Sequence, residues 1–89
     1  MRFEDCDLNE ANFLDVDLSG TAFVNCDLRN ADFTGTRLSG VDLRSCQIEG
    51  ARIGPRELKG ATINPVQAMA FLQGIGISVK PPDNIHLES

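Results

Sequence analysis

The stretch that decides the fold is CDLNEANFLDVDLSGTAFVNCDLRNADFTG, residues 6–35, in which Leu or Phe stands at every fifth position. A helix repeats its apolar face every 3.6 residues and a strand every second residue, so neither element produces a period of five. Stepping by five from Phe3 to Ile63 meets a large apolar residue at all thirteen positions. Residues 1–65 are therefore one continuous array of five-residue repeats.

Each repeat reads as a short extended segment followed by a corner. Two positions before each apolar centre the residue is small or apolar, with Arg56 as the exception, and the residue between them is Asp or Asn in six of the thirteen repeats. This order places two side chains in a core and one in solvent. The last residue of each repeat, except Glu10, is Gly, Asn, Asp, Ser or Pro, which favour turns. A chain that turns every five residues, with the same two positions of each repeat facing the core, winds into a solenoid.

A spacing of 20 residues predicts four repeats per coil. The three cysteines share this spacing: Cys6, Cys26 and Cys46. Such identity is expected where equivalent corners of a four-sided coil stack on one another. Opposite charges would then be neighbours on adjacent rungs, with Asp17 beside Arg37 and Arg29 beside Glu49.

CDLNE, ANFLD, VDLSG, CDLRN and ADFTG resemble the consensus of the pentapeptide-repeat family: Ala or Cys, Asp or Asn, Leu or Phe, and two variable residues. The resemblance covers residues 1–65. It implies an all-β solenoid, a right-handed quadrilateral parallel β-helix of about three coils. The repeat GPREL departs from the pattern, so we expect the last coil to be distorted and Arg56 to turn outward.

The five-residue period ends at Ile63, and helix signals follow. Asn64 can cap the N-terminus, Pro65 suits the first helical position, and Gln67 completes a capping box. Gly74 suits the position just after the C-terminus. These signals predict a helix from about residue 65 to residue 73.

Beyond this helix the apolar residues alternate, which predicts a short strand containing Ile75, Ile77 and Val79. Residues 66–80 would then cap the open end of the solenoid or bury their apolar side chains against a second copy of the chain. In the second interpretation the homodimer interface comprises Val66, Met69, Phe71, Leu72, Ile75 and Ile77. The polar segment 81–89 is predicted to be a flexible tail.

The C-terminal segment is also similar to that of the Qnr and MfpA branch of the family. The residues that carry this resemblance are Gln67, Ala68, Leu72, Gly74, Ile75 and Val79. It implies an end-to-end homodimer and a function as a rod-shaped mimic of duplex DNA that modulates or protects DNA gyrase and other type II topoisomerases. Outward carboxylates would then stand in for phosphates: Asp7, Asp17, Asp27, Asp32 and Asp42.

The charge is segregated along the chain. Residues 1–35 contain eight acids and two bases, whereas residues 36–65 contain three acids and five bases, within a net charge of −5. This balance argues against direct binding of nucleic acid, which needs a basic surface. An acidic half suits competition for a basic groove, and it can equally serve solubility.

No catalytic constellation is apparent, and we expect a protein that is not an enzyme. The outward aspartates lie on a repetitive surface, and His86 is the single histidine. Cysteines in one column suit small buried residues better than metal ligands, so no cofactor or metal is expected. The opening MRFEDCDL lacks a signal peptide pattern and no apolar run is long enough for a membrane, so we expect a cytoplasmic protein.

Two other functions fit the same repeat. The solenoid can be a structural or adaptor module that binds another protein along a flat face. Because the repeat begins in phase at Met1, residues 1–89 also fit the C-terminal part of a longer repeat protein. The sequence alone leaves these alternatives open.

Overall fold

A computed structural model of the chain describes residues 1–82. Its regular elements are β1 (Arg2–Glu4), β2 (Ala22–Val24), α1 (Pro55–Leu58) and α2 (Pro65–Gly74). The two strands are parallel neighbours, with Phe3 beside Phe23. Both are short because each repeat has room for only about three extended residues before its corner.

Single-residue bridges continue the parallel ladder outside the two strands. They are Asp7–Asp27, Asn12–Asp32, Asp17–Arg37, Asp27–Gln47, Asp32–Arg52 and Asp42–Thr62. Every pair is separated by 20 residues, which equals four repeats of five. Main-chain hydrogen bonds join the rungs, for example from Leu8 N–H to the Asp27 carbonyl at 2.8 Å and from Asp27 N–H to the Cys6 carbonyl at 2.9 Å. The predicted β-helix solenoid and its 20-residue register are confirmed.

The Leu, Phe and Ile centres of the repeats fill the interior. Those that are buried are Leu18, Phe23, Leu28, Phe33, Leu38, Leu43 and Ile48. Phe13 stacks on Phe33 with ring centres 5.2 Å apart, as the register predicts. Val16 was predicted to face inward but is 41% exposed.

Ten of the thirteen corners adopt left-handed backbone conformations, and the exceptions are Ser45, Pro55 and Pro65. The five left-handed corners that are not glycine have φ between 53° and 65°, and they include Glu10, which departs from the turn-residue composition of the other corners. At Gly35 an oxygen of the Asp15 carboxylate lies where a Cβ would be, so a side chain there would collide with it. Positive φ is uncommon outside glycine, so its recurrence at each fifth residue from Asp5 to Gly40 marks the corners of the coil.

The C-terminal segment differs in part from its prediction. GPREL forms the N-cap and the four residues of α1, and Arg56 is exposed as expected. The capping box of α2 is also present: Asn64 accepts from Gln67 N–H, and Gln67 accepts from Asn64 N–H, both at 2.8 Å.

The predicted end of α2 lies within one residue of the observed one, but the prediction of Gly74 as the residue just after the helix and of a strand beyond it is wrong. The helix includes Gly74, and Gly76 is the residue with positive φ, at 89°. Gly76 N–H bonds to the Gln73 carbonyl at 3.1 Å and Ile77 N–H bonds to the Leu72 carbonyl at 2.9 Å, which is a Schellman motif. This turn redirects the chain, and residues 75–80 form no strand. Residues 83–89 of the predicted tail lie outside the described residues.

Candidate interaction surfaces

The outward Asp and Asn residues are bound to the corners that follow them. In each case a side-chain oxygen accepts a hydrogen bond from the main-chain N–H two residues later, at 2.9–3.1 Å. The acceptors are Asp7, Asn12, Asp17, Asp27, Asp32 and Asp42. These Asx turns hold every side chain in one orientation, so the candidate partner-binding carboxylates form a regular, fixed array.

Two members of this array are neutralised within their own repeat. Arg29 Nη2 lies 2.7 Å from Asp27 Oδ2, and Arg44 Nη2 lies 2.7 Å from Asp42 Oδ2. The hydrogen bond from the arginine is the largest cause that lowers the pKa of each carboxyl, to about 2. Within residues 1–82 the other three candidate carboxylates have no ion pair within 4 Å: Asp7, Asp17 and Asp32.

The predicted neighbours across the rungs lie close enough to act on each other electrostatically, but they do not form ion pairs. Asp17 and Arg37 are register partners, but they form no ion pair within 4 Å. Arg29 likewise pairs with Asp27 rather than with Glu49. The Asx turn explains the choice, because it directs each carboxylate along its own chain toward the residue two positions later.

A second candidate surface lies on and after α2. This C-terminal apolar surface comprises the six residues predicted for the homodimer: Val66, Met69, Phe71, Leu72, Ile75 and Ile77. Val66 is 74% exposed and Met69 is 46% exposed, whereas Phe71 is half-buried. Phe71 and Ile75 line a cavity of ≈ 290 Å³ between α2 and the adjacent coil. The six side chains therefore do not share one orientation, and Val66 and Met69 are the ones most available to a partner on the helix itself.

Gln67 has a structural role that sequence reasoning missed. Its side chain is only 6% exposed, and its Nε2 donates to the carbonyls of Leu43 at 2.7 Å and Cys46 at 2.8 Å. In the preceding coil the carbonyl equivalent to that of Cys46 belongs to Cys26, and it accepts from the main-chain Gln47 N–H at 3.1 Å. The Gln67 side chain thus replaces a rung that α2 removes. Gln67 occupies the same position of the repeat as residues 7, 27 and 47, whose side chains point outward. The five-residue period therefore predicts an outward side chain at residue 67 and does not indicate its inward role.

The repeat region is matched by a family model described as a pentapeptide repeat region, over residues 1–70. The chain belongs to the pentapeptide-repeat family. No curated protein matches it. Among solved structures, this pentapeptide-repeat protein is similar to a trypsin-treated form of QnrB1, described as a plasmid-mediated fluoroquinolone resistance protein. The identity is 16% and the TM-score 0.46, over 89% of this chain and 45% of that one. The chain thus spans less than half the length of that structure.

The cysteine column of this pentapeptide-repeat protein is part of its core. The thiols of Cys26 and Cys46 donate to the carbonyls of Phe3 and Phe23, at 3.3 Å and 3.7 Å. Burial raises the pKa of the Cys46 thiol and keeps it protonated. Within residues 1–82, no three His, Cys, Asp or Glu side chains are grouped as metal ligands, and no helix is long and apolar enough to cross a bilayer.

Proposed function

We propose that this pentapeptide-repeat protein is a non-enzymatic, protein-binding rod whose acidic N-terminal coils occupy the DNA-binding groove of a type II topoisomerase such as DNA gyrase. The observation that carries the proposal is the fixed array of outward carboxylates. Three of them, Asp7, Asp17 and Asp32, are held by Asx turns and keep their charge free of ion pairs. They lie in the half of the chain that has eight acids and two bases.

Physical reasons support a mimic of this kind. Proteins that bind duplex DNA recognise regular negative charge and the shape of the duplex. Because the carboxylates are already oriented by the corners, binding would cost little side-chain entropy. About three coils at about 4.8 Å per rung form a rod of roughly 15 Å, and a homodimer through the C-terminal apolar surface would lengthen it. The resemblance of the C-terminal segment to the Qnr and MfpA branch supports both the dimer and the partner.

The test is a supercoiling assay with purified gyrase at low salt. The wild type is expected to inhibit or protect the enzyme, to compete with DNA and to weaken as salt rises. Changing Asp7, Asp17 and Asp32 to Asn should abolish the effect, since Asn retains the Asx acceptor but loses the charge. The matched control, Asp27→Asn with Asp42→Asn, changes the same position of the repeat where arginine already neutralises it and should retain most of the effect.

Two results of this assay would count against the mimic. The first is a wild type with no effect on gyrase at micromolar concentration in low salt. The second is an equal loss of effect in the triple variant and in the control, which would indicate a response to net charge alone.

A second candidate function is a structural or adaptor module that binds another protein. The Asx hydrogen bonds favour it, because they give every outward Asp a role in the fold that needs no partner. An adaptor would tolerate the triple Asn variant in its binding to a partner and would leave gyrase unaffected. The same assay therefore separates the two functions.

A further inference from the structure

A cleft with basic walls opens where α1 interrupts the repeat. It has a volume of ≈ 330 Å³ and lies between Arg37–Ser39 on one side and Arg56–Gly60 on the other. Three exposed cationic side chains line it: Arg37, Arg56 and Lys59. The buried Leu38 is also part of its lining. If the repeat had continued through residue 56, Arg56 would have pointed inward, so α1 brings this side chain to the cleft.

The three cations of this cleft differ from three other arginines of the chain and share with Arg52 the absence of an ion pair within 4 Å in residues 1–82. Arg2, Arg29 and Arg44 each form an ion pair with an acid two residues away. Two residues before Arg37 and Arg56 the chain has Gly35 and Gly54 instead, so that neighbour is lacking. Within residues 1–82, neither these two arginines nor Lys59 forms an ion pair within 4 Å.

The one carboxylate that lines the cleft is bound elsewhere. Glu57 stands two residues before Lys59, but its Oε2 accepts from Gly35 N–H at 2.9 Å and its Oε1 from Gly54 N–H at 2.8 Å. Asp17 is the register partner of Arg37 on the adjacent rung, outside the lining of the cleft, and its Oδ1 accepts from Ser19 N–H at 2.9 Å. The cleft thus has three unpaired cations against one engaged carboxylate.

We propose that this basic cleft binds a phosphate group, either as the free dianion or as a small phosphate monoester. Two guanidinium groups can each donate two parallel hydrogen bonds to phosphate oxygens, and an ammonium adds a third charge. The three cations and Glu57 give the lining of the cleft a net positive charge of two, which balances the two negative charges of a phosphate dianion. The Ser39 hydroxyl is a further donor, and Leu38 offers an apolar surface to the organic part of a monoester. The volume is at the lower end of the range for small-ligand sites. The proposal is independent of gyrase binding.

The test is a titration followed by ¹H–¹⁵N NMR, with inorganic phosphate and with glycerol 3-phosphate, at constant ionic strength maintained with chloride. The expected result is saturable shifts confined to residues 36–39 and 56–60. Arg56→Gln should weaken the affinity about tenfold or more. The matched control Arg44→Gln, at an arginine outside the cleft, should leave the affinity unchanged. The spectrum of each variant verifies its fold.

The two probes separate the two sources of the phosphate group. A clearly tighter interaction with glycerol 3-phosphate would support a monoester, and equal affinities would support the free anion. The proposal is overturned if neither probe produces saturable shifts at tens of millimolar, or if Arg44→Gln reduces the affinity as much as Arg56→Gln does.

Discussion

At the residue scale, the ring of Phe33 is fully buried and stacks on Phe13 at 5.2 Å between ring centres. The stack continues the register of the ladder through the interior, so that one side chain supports two rungs. On the outside, the Asp and Asn side chains bind the corners that follow them. Each repeat therefore combines inward apolar side chains, which pack in the core, with an outward Asx turn, which stabilises the following corner.

Replacing Phe33 with Ala should cost about 3–5 kcal/mol of unfolding free energy, because it removes a large buried ring and leaves a cavity. That loss is a large fraction of the stability of a small domain, so the variant should be mostly unfolded at room temperature. Circular dichroism and chemical denaturation measure it. Leu14→Ala, at a side chain that is 48% exposed, is the control and should unfold like the wild type. A native-like melt for the Phe33 variant would contradict the register.

Stability should fall in acid because two of the outward carboxylates, those of Asp27 and Asp42, have low pKa values. The pKa of Asp27 and that of Asp42 are lowered from 3.8 to about 2 in the fold. Their contribution is present above the unfolded-state pKa and is lost as the pH falls through the folded-state pKa, so the melting temperature should decrease between about pH 4 and pH 2. Asp27→Asn with Asp42→Asn should flatten this dependence in part, measured by thermal melts across that range. An unchanged slope would show that these two pairs contribute nothing to acid sensitivity.

At the element scale, α2 ends the solenoid by replacing one rung with a helix. The replacement leaves the Cys46 carbonyl without the main-chain donor that the equivalent Cys26 carbonyl has in Gln47. Gln67 Nε2 supplies this hydrogen bond and a second one to the Leu43 carbonyl, and Asn64 Nδ2 donates to the Arg44 carbonyl at 3.0 Å. The capping function that repeat proteins require is thus performed by side-chain amides as well as by apolar cover.

Gln67→Leu should lower the unfolding free energy by about 2–4 kcal/mol, because two buried carbonyls lose their donors. Gln73→Leu, at an exposed position of the same helix, is the matched control and should have little effect. Urea denaturation of both variants measures the difference. If the two variants unfold at the same urea concentration, then the Gln67 hydrogen bonds do not support the cap.

At the scale of the whole molecule, charge and apolar surface lie at opposite ends of the described chain. The acidic coils come first, the basic cleft follows at α1, and the C-terminal apolar surface comes last. A core this small is expected to gain stability from association through exposed apolar groups. The homodimer therefore stays a prediction with a specific location.

We predict that Val66→Asp combined with Met69→Asp shifts a wild-type dimer to monomer in sedimentation equilibrium. These positions are better suited than Phe71, which packs partly against the coil. Leu14→Asp places a charge at an exposed apolar residue far along the chain from α2 and should leave the dimer intact. A wild type that sediments as a monomer at high concentration would refute the prediction.

The sequence by itself determined the parts of this protein that depend on local chemistry. The five-residue period specified the inward centres, the spacing of 20 residues specified the register, and Asn64, Pro65 and Gln67 specified the start of α2. These features are readable because corners, faces and N-caps need particular residue types at fixed spacings.

Only the tertiary structure decided where polar groups without a local rule would bind. The inward turn of Gln67 depends on two carbonyls more than twenty residues earlier, and the use of Glu57 depends on the amide of Gly35. Likewise, Asp17 faces Arg37 across the ladder without pairing with it, since its own corner holds the carboxylate. The partners of these side chains are the donors and acceptors that the stacked rungs leave unpaired. Which groups remain unpaired depends on how the coils pack against one another.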